Sequence, residues 1–263
     1  MKHRWGRRFR LPAFALAFSC ALLAQPPATQ PIPRSDRNSI TAHAQLLEKA
    51  KQGRTDVYFE GDSIVRRWGA IDYPELLANW KQNFFGWNAA DFGWGADKTG
   101  NILWRLANGE LDGVNPKVIV LLGGTNNVGD GASAADVTAG VQAILAIMRA
   151  KAPGAAIILT AIFPRNDKMT FMPVIDEVNG NLAKLADGKK VLYLDINDRL
   201  ADGQGKLFDG MMNERDKLHP TVKGYQVWAD ALKPLLMDLL GPPTKEDHAP
   251  PSTGDPSAAK KTR

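Results

Sequence analysis

Two short segments contain the residue types that nucleophilic hydrolysis needs. Gly61-Asp62-Ser63 places a serine after the apolar run Val57-Tyr58-Phe59, and Asp216-Lys217-Leu218-His219 places an aspartate three residues before a histidine. A serine hydroxyl becomes a nucleophile when an imidazole removes its proton, and a carboxylate orients that imidazole. We therefore predict Ser63 as the nucleophile, His219 as its base and Asp216 as the group that orients the base.

Three other histidines compete for the role of the base. His3 lies in the basic N-terminal stretch, His43 lies in a polar stretch, and His248 lies near the C-terminus. Pro220 disfavours helical geometry at His219 and suits the first turn of a helix that follows. His219 is thus the histidine that the fold can present at a turn, although a histidine that only caps this helix is the alternative.

Acyl transfer also needs hydrogen-bond donors for the oxyanion of its tetrahedral intermediate. The glycine-rich run Phe92-Gly93-Trp94-Gly95-Ala96-Asp97 offers backbone N–H groups, and Gly123-Gly124-Thr125-Asn126-Asn127 offers the side-chain amide of Asn126. A Gly-Thr-Asn turn also ends strands for conformational reasons alone, so a purely structural role for Asn126 remains the alternative.

The segments that must position these groups alternate between short apolar runs and longer stretches of helical period. Val118–Leu122, Ile157–Ile162 and Val191–Leu194 have the continuous apolar character of strands buried on both faces. Ala134–Lys151 and Val174–Ala186 repeat apolar residues at the spacing of one helical face. This rhythm predicts an α/β fold with a central parallel sheet and helices on both sides.

Polar residues that follow the predicted strands fall at one edge of such a sheet. Open parallel sheets bind ligands outside the carboxyl ends of their strands. Ser63 follows the first apolar run, Asn126 follows the second, and Pro164-Arg165-Asn166 follows the third. We predict that Asp62, next to Ser63, is a hydrogen-bond acceptor that stabilises the turn and not a second catalytic acid.

Four of these sequence motifs occur in the order typical of one enzyme family. Gly61-Asp62-Ser63, the glycine-rich loop, Gly124-Thr125-Asn126-Asn127 and Asp216-Lys217-Leu218-His219 resemble the blocks of the SGNH hydrolases, or GDSL esterases, across residues 56–240. The stretch Asn101-Ile102-Leu103-Trp104-Arg105-Leu106 is similar to the branch that includes platelet-activating-factor acetylhydrolase catalytic subunits and bacterial carbohydrate acetylesterases.

The resemblance implies a flavodoxin-like three-layer α/β/α sandwich and a Ser-His-Asp mechanism without a metal or other cofactor. It implies oxyanion donors at the N–H of Ser63, at Asn126, and at Ala96, where the family has glycine, or at the preceding Gly95. Candidates for the substrate pocket are Trp94 and Asn127.

Together these features predict a serine esterase that hydrolyses short-chain acyl esters, above all acetyl esters of carbohydrates or other small alcohols. The chain has no long apolar insertion that would form a lid, which argues against a long-chain lipase. A lysophospholipase or arylesterase is the alternative, followed by a catalytically silent glycan-binding domain. The resemblance also allows a dimer.

The ends of the chain carry much of its charge. The formal net charge of the 263 residues is +5, but basic residues are concentrated in the first ten and last four positions, so the middle is near neutral. This distribution excludes the electrostatic footprint of a nucleic-acid-binding protein.

The N-terminus has the pattern of a signal for secretion or export to the periplasm. A basic stretch precedes the apolar run Leu11–Ala24, which is too short for a stable span, so we predict a signal peptide over residues 1–24. A lipoprotein attached through Cys20, or an uncleaved anchor, is the alternative. We predict a linker at 25–40, the hydrolase domain at 41–240 and a disordered Pro-rich tail at 241–263.

Overall fold

Five parallel strands form one sheet at the centre of the protein. The computed structural model describes residue 1 and residues 27–258, so the predicted signal peptide lies almost wholly outside the described residues. The strands of the sheet are β1 (Val57–Gly61), β2 (Ala89–Asp91), β3 (Val118–Leu122), β4 (Ala156–Thr160) and β5 (Val191–Leu194). Their order across the sheet is β2-β1-β3-β4-β5, and every neighbouring pair is parallel.

Helices connect and cover these strands. Within residues 27–258 the helices are α1 (Arg37–Ala50), α2 (Ser63–Gly69), α3 (Pro74–Phe84), α4 (Thr99–Arg105), α5 (Thr125–Gly129), α6 (Ala134–Lys151), α7 (Met172–Ala183), α8 (Asn197–Leu200) and α9 (Val222–Leu240). A wider turn at Leu106–Glu110 extends α4, and a short 3₁₀ turn at Met169–Phe171 precedes α7.

Two hydrophobic cores lie on the two faces of the sheet. On one face the side chains of α1, α4, α6 and α7 pack on β-strand residues such as Ile119 and Leu121. On the other face α2, α3, α8 and α9 pack on Phe59, Val120 and Leu122. Successive residues of a strand point to opposite faces, so the continuous apolar runs of β1, β3 and β4 serve both cores. The predicted three-layer α/β/α fold is confirmed.

Residues on either side of the predicted domain pack on it. Residues 27–36 contact the start of α4, where Thr99 donates to the Ala28 carbonyl and Ile32 donates to the Gly100 carbonyl. α1 begins at Arg37, inside the segment that we expected to be a linker. The structure thus makes this segment part of the folded body.

The C-terminal segment 241–258 lies along the domain, which differs from the disorder that its composition predicted. Its backbone bonds to Gly86 through Thr244, to Arg54 through His248 and to Ile71 through Thr253. The physical reason is that backbone groups and small polar side chains satisfy the segment, so it needs no large apolar residues. No helix within residues 27–258 is long and apolar enough to cross a membrane.

Candidate active site

The turn that follows β1 presents Ser63 at the sheet edge. β1 ends at Gly61, where a Cβ atom would lie 2.1 Å from the Leu122 carbonyl oxygen, so only glycine fits between the two strands. Asp62 is the N-cap of α2, and its Oδ1 accepts a 2.9 Å hydrogen bond from the Ile64 N–H. The prediction that Asp62 stabilises the turn is confirmed, and Ser63 becomes the first residue of α2.

Ser63, His219 and Asp216 form one hydrogen-bonded chain. The Nε2 atom of His219 lies 2.8 Å from Ser63 Oγ, and its Nδ1 atom lies 2.8 Å from Asp216 Oδ2. Asp216 Oδ1 also accepts the backbone N–H groups of Leu218 and His219, which closes the tight turn before Pro220. The structure therefore brings the three sequence-predicted catalytic residues together, across 156 residues of chain in the case of Ser63 and His219.

Burial and Arg67 set the protonation of this group. Burial, followed by the positive charge of Arg67, lowers the pKa of His219 below its usual 6.5. Burial acts to raise the pKa of Asp216, but the two backbone N–H groups and His219 outweigh it and lower the pKa overall. At neutral pH the arrangement thus holds a neutral imidazole between a hydroxyl and a carboxylate.

The glycine-rich loop lies next to the serine turn. Trp94 donates its backbone N–H to the Gly61 carbonyl at 3.0 Å, which fixes the loop beside the end of β1. Gly95 is half-buried and Ala96 is exposed, and Ala96 has a positive φ of 61°. Within residues 27–258 neither N–H has an intramolecular acceptor, so both are free to bind an oxyanion.

Because Ala96 holds a left-handed backbone, we expect Ala96→Gly to stabilise the protein. L residues with a side chain pay about 1 kcal/mol or more in this region, and glycine does not. The free energy of unfolding in urea should therefore rise by about 0.5–1 kcal/mol. Ala146→Gly, at an exposed position in the middle of α6, should instead lower it by about 1 kcal/mol. A loss of stability in both variants would show that the Ala96 backbone is unstrained.

Asn126 follows β3 at the same edge. Its neighbour Gly124 has a φ of 115°, which turns the chain sharply from β3 into α5. The half-buried Asn126 side chain donates from Nδ2 to the Asp97 carbonyl at 2.9 Å. Because an amide nitrogen carries two hydrogens, one donor stays available while the other ties α5 to the glycine-rich loop.

The two residues predicted to line the substrate pocket make hydrogen bonds inside the protein. Trp94 is 7% exposed and donates its indole N–H to Ser39 Oγ in α1 at 2.8 Å. Asn127 is also buried, and its Oδ1 and Nδ2 both bond to Thr99 at the start of α4. These bonds support the loops, and Asn127 also lines a cavity of about 490 Å³. Their role in binding substrate stays a prediction.

A cavity of about 450 Å³ is lined by Pro220, the residue that follows the Asp216–His219 turn, but not by Ser63, Asp216 or His219. Arg67 lies in its wall, contacts Asp216 Oδ2 at 3.3 Å and packs its guanidinium on the Tyr73 ring. The remaining wall includes Leu76, Asn213 and residues at the start of α9. Its volume is in the range of small-molecule sites.

Sequence reasoning missed a buried charge cluster beneath the loop. The Arg105 guanidinium bonds to Glu60 at 2.6 Å, to Asp97 at 2.7 Å and to Glu110. It also donates to the carbonyl oxygens of Gly61 and Phe92, at the carboxyl ends of β1 and β2. The cluster therefore joins the serine turn to the glycine-rich loop through one side chain.

Burial shapes the titration of this cluster. It raises the pKa of Glu60 to about 8 and that of Asp97 to about 6, although Arg105 opposes both shifts. One guanidinium faces three carboxyl groups, so proton uptake by Glu60 relieves the excess negative charge. Among residues 27–258, no group of three or more His, Cys, Asp or Glu side chains is placed to hold a metal ion.

Comparison with known proteins decides the family. The GDSL-like Lipase/Acylhydrolase family model matches residues 59–227, which include the serine turn, the glycine-rich loop and the Asp216–His219 turn. The chain belongs to the GDSL-like lipase/acylhydrolase family. It is therefore an ester hydrolase of the acylhydrolase class, and its relatives show which members it is similar to.

Platelet-activating factor acetylhydrolase IB subunits are similar to this acylhydrolase over nearly their whole length. The alpha2 subunit of Gallus gallus is 32% identical over 229 residues, 86% of this chain and 95% of the relative. The alpha1 subunit of Bos taurus is 30% identical, over 85% of this chain and 95% of the relative.

Solved structures share the acylhydrolase fold. A GDSL-like lipase from Bacteroides thetaiotaomicron superposes with a TM-score of 0.59 at 18% identity and covers 76% of this chain and 96% of its own. A carbohydrate esterase family 3 protein from Talaromyces cellulolyticus gives a TM-score of 0.53 at 18% identity, over 70% and 97%. At these identities the likeness concerns the fold.

Proposed function

We propose that this acylhydrolase is a serine esterase for short acyl groups, above all acetyl, with Ser63, His219 and Asp216 as its catalytic triad. The observation that carries the proposal is the pair of 2.8 Å contacts that joins Ser63 Oγ, the two His219 ring nitrogens and Asp216 Oδ2. The three side chains match the roles of nucleophile, base and orienting carboxylate.

Each step of the proposed reaction uses an atom of this group. His219 Nε2 takes the Ser63 hydroxyl proton while Oγ bonds to the acyl carbon, and the carbonyl π electrons move onto oxygen. The oxyanion accepts hydrogen bonds from the N–H of Ser63, the N–H of Gly95 or Ala96, and Asn126 Nδ2. The C–O bond then breaks, and the imidazolium protonates the departing alcohol. Water, deprotonated by His219, repeats the sequence on the acyl-enzyme.

Two observations support a short acyl group and a small alcohol. The subunits that are similar to this chain are named as acetylhydrolases, which are enzymes that remove acetyl groups. The connections between the strands of the sheet contain no long apolar insertion that could enclose a fatty acyl chain. We therefore place acetylated carbohydrates or similar small esters first among substrates, outside the cytoplasm after removal of residues 1–24.

A series of p-nitrophenyl esters tests this proposal. We expect the highest kcat/KM for acetate, a steep fall towards octanoate, and release of acetate from acetylated xylan. Mass spectrometry of the quenched wild-type reaction should show one acetyl group on Ser63. A maximum of kcat/KM at octanoate would instead support a lysophospholipase. A preference for phenyl esters over alkyl esters would support an arylesterase. Binding of glycans without any ester turnover would support the catalytically silent glycan-binding domain.

The acid limb of the pH–rate profile should lie below pH 6.5. His219 must be neutral to accept the serine proton, and its lowered pKa keeps it neutral to more acidic pH than an unperturbed histidine. We expect kcat/KM for p-nitrophenyl acetate to rise with pH through this lowered pKa and to be on its plateau at pH 7. Arg67→Gln removes a positive charge near His219 and should move the limb to higher pH. A wild-type midpoint above pH 7 would contradict the assignment.

A further inference from the structure

Arg34 lies in the segment before α1 and reaches the glycine-rich loop. Its Nη1 donates to the Gly95 carbonyl at 3.0 Å and to Asp97 Oδ1 at 3.2 Å. On the other side, its Nε and Nη2 atoms contact Asp36 Oδ2 at 3.2 and 3.0 Å. The side chain is 29% exposed and the Asp97 side chain is fully buried, so the loop-facing contact is shielded from water.

The Gly95 carbonyl belongs to the same peptide group as the Ala96 N–H. A peptide group is planar, and within residues 27–258 none is cis, so this N–H points away from the carbonyl and from Arg34. A cation that holds the carbonyl therefore sets the direction of the N–H at the opposite end. The Ala96 N–H has no acceptor within residues 27–258.

The bond from Arg34 also changes the strength of that donor. A hydrogen bond from a charged guanidinium to the carbonyl is stronger than one from a neutral group. It polarises the amide and strengthens the next bond in the series, by about 10–30% in condensed-phase estimates. The Gly95 N–H lacks this effect, because its own peptide carbonyl, on Trp94, accepts a single hydrogen bond among residues 27–258, from the neutral Asp97 N–H at 3.4 Å.

We propose that Arg34 is a positioning residue that orients and polarises the Ala96 N–H as an oxyanion donor. The inference rests on the proposed esterase function and selects Ala96 over Gly95 as the backbone donor of the loop. It also gives the segment before α1 a role in the reaction, since Arg34 acts on the transition state without touching the substrate.

Three further contacts keep the guanidinium in place. Asp36 is the N-cap of α1, and its Oδ1 accepts the Ser39 N–H at 2.9 Å while Oδ2 holds Arg34. Asp97 Oδ2 is held by Arg105, so the carboxylate that faces Arg34 cannot rotate away. Asn126 bonds to the Asp97 carbonyl. The proposed backbone donor and the proposed side-chain donor are thus coupled through Asp97.

Arg34→Gln tests the proposal in the full-length protein, with Arg37→Gln as the matched control. Arg37 is exposed at the first position of α1, and its side chain makes no hydrogen bond or ion pair among residues 27–258. We expect Arg34→Gln to lower kcat for p-nitrophenyl acetate by about 10- to 100-fold with KM within about twofold, because an oxyanion contact acts on the transition state. Arg37→Gln should match the wild type in both constants. Arg34→Lys, which keeps a cation and a donor, should recover part of kcat.

A double variant separates positioning from general support of the fold. If Arg34 acts through the oxyanion, the kcat losses of Arg34→Gln and Asn126→Ala should combine to less than their product, since both weaken one transition-state contact set. Unchanged kcat in Arg34→Gln, or a rise in KM alone, overturns the inference. An inactive wild type, or wild-type turnover no greater than that of Ser63→Ala, instead contradicts the esterase proposal itself, so the two failures are distinguishable.

Discussion

Ser63→Ala should lower kcat/KM for p-nitrophenyl acetate by about 10⁴- to 10⁶-fold, the loss that serine hydrolases show when the nucleophile is removed. The physical reason is that, within residues 27–258, the imidazole of His219 bonds to no side chain other than Ser63 and Asp216, and a carboxylate would not replace the serine hydroxyl as the nucleophile. Residual turnover would come from water at the vacated hydroxyl position, with the oxyanion donors still in place. The measurement is steady-state hydrolysis followed at the absorbance of p-nitrophenolate.

The fold should survive this change. Within residues 27–258 the Ser63 side chain bonds to His219 alone, so loss of the hydroxyl costs about 1 kcal/mol of the free energy of unfolding. Ser252→Ala, in the C-terminal segment and without a side-chain hydrogen bond in the described structure, is the matched control and should keep wild-type turnover. Equal activity in the wild type and Ser63→Ala would refute the nucleophile.

Arg105→Met should destabilise the protein by about 3–5 kcal/mol at pH 8, the cost of removing one partner from a buried ion pair. Methionine fills most of the volume but removes the guanidinium that Glu60, Asp97 and Glu110 share, so that Asp97 keeps Arg34 as its cation and Glu110 keeps its contact with His43. It also removes a donor from the carbonyl oxygens of Gly61 and Phe92 at the strand ends, of which Gly61 keeps the Trp94 N–H. Urea unfolding followed by tryptophan fluorescence measures the change.

The pH dependence of that deficit is a sharper signature than its size. A carboxyl group whose pKa is raised in the folded state binds more protons there than when unfolded, so stability falls as pH rises. Burial already raises the pKa of Glu60 to about 8, and loss of Arg105 raises it further. The deficit should therefore be smaller at pH 5 than at pH 8. Arg149→Met, on the exposed side of α6, should change stability by less than about 1 kcal/mol at either pH. A deficit independent of pH would mean that packing, and not charge, is what Arg105 supplies.

The sequence predicted the central strand β3 and the edge strand β5 well, but the other edge strand, β2, not at all. β3 coincides with the apolar run Val118–Leu122, because a strand buried between two helical layers must be apolar throughout. β5 coincides with the apolar run Val191–Leu194. β2, by contrast, is only Ala89–Asp91, whose short small side chains carry no periodic signal. Its place is set by backbone pairing with β1, which is a property of the fold and not of the three residues.

The same distinction applies to the site. Ser63, His219 and Asp216 could be selected because each stands in a short local motif at the end of an element. The Arg105 cluster could not, since its members are spread from Glu60 to Glu110 and meet only when β1 and the glycine-rich loop adjoin. Trp94 was predicted as a pocket residue because it lies in the glycine-rich loop, and its bond to Ser39 could not be foreseen because Ser39 lies in the predicted linker at 25–40.

α1 contains a buried charge that the sequence did not predict. It carries Lys49 on its inner side, and a lysine ordinarily indicates the solvent face of a helix. Here Lys49 is buried, donates to the Asp91 carbonyl at 2.7 Å, and has a pKa lowered by burial to about 8. Only the tertiary structure supplies the carbonyl and the neighbouring carboxylates that make such a position tolerable.

The docked C-terminal segment has a consequence for the order in which the chain assembles. Asn38 Nδ2 lies 2.8 Å from Asp255 Oδ1, a contact between groups 217 residues apart in sequence. Other docking points of the segment, at Arg54, Gly86 and Ile71, are completed only when α1, β1 and α3 are in place. Contacts of such long sequence separation carry a large loop-closure cost and tend to form late in folding. We therefore expect segment 241–258 to dock after the body that carries the active-site edge has assembled.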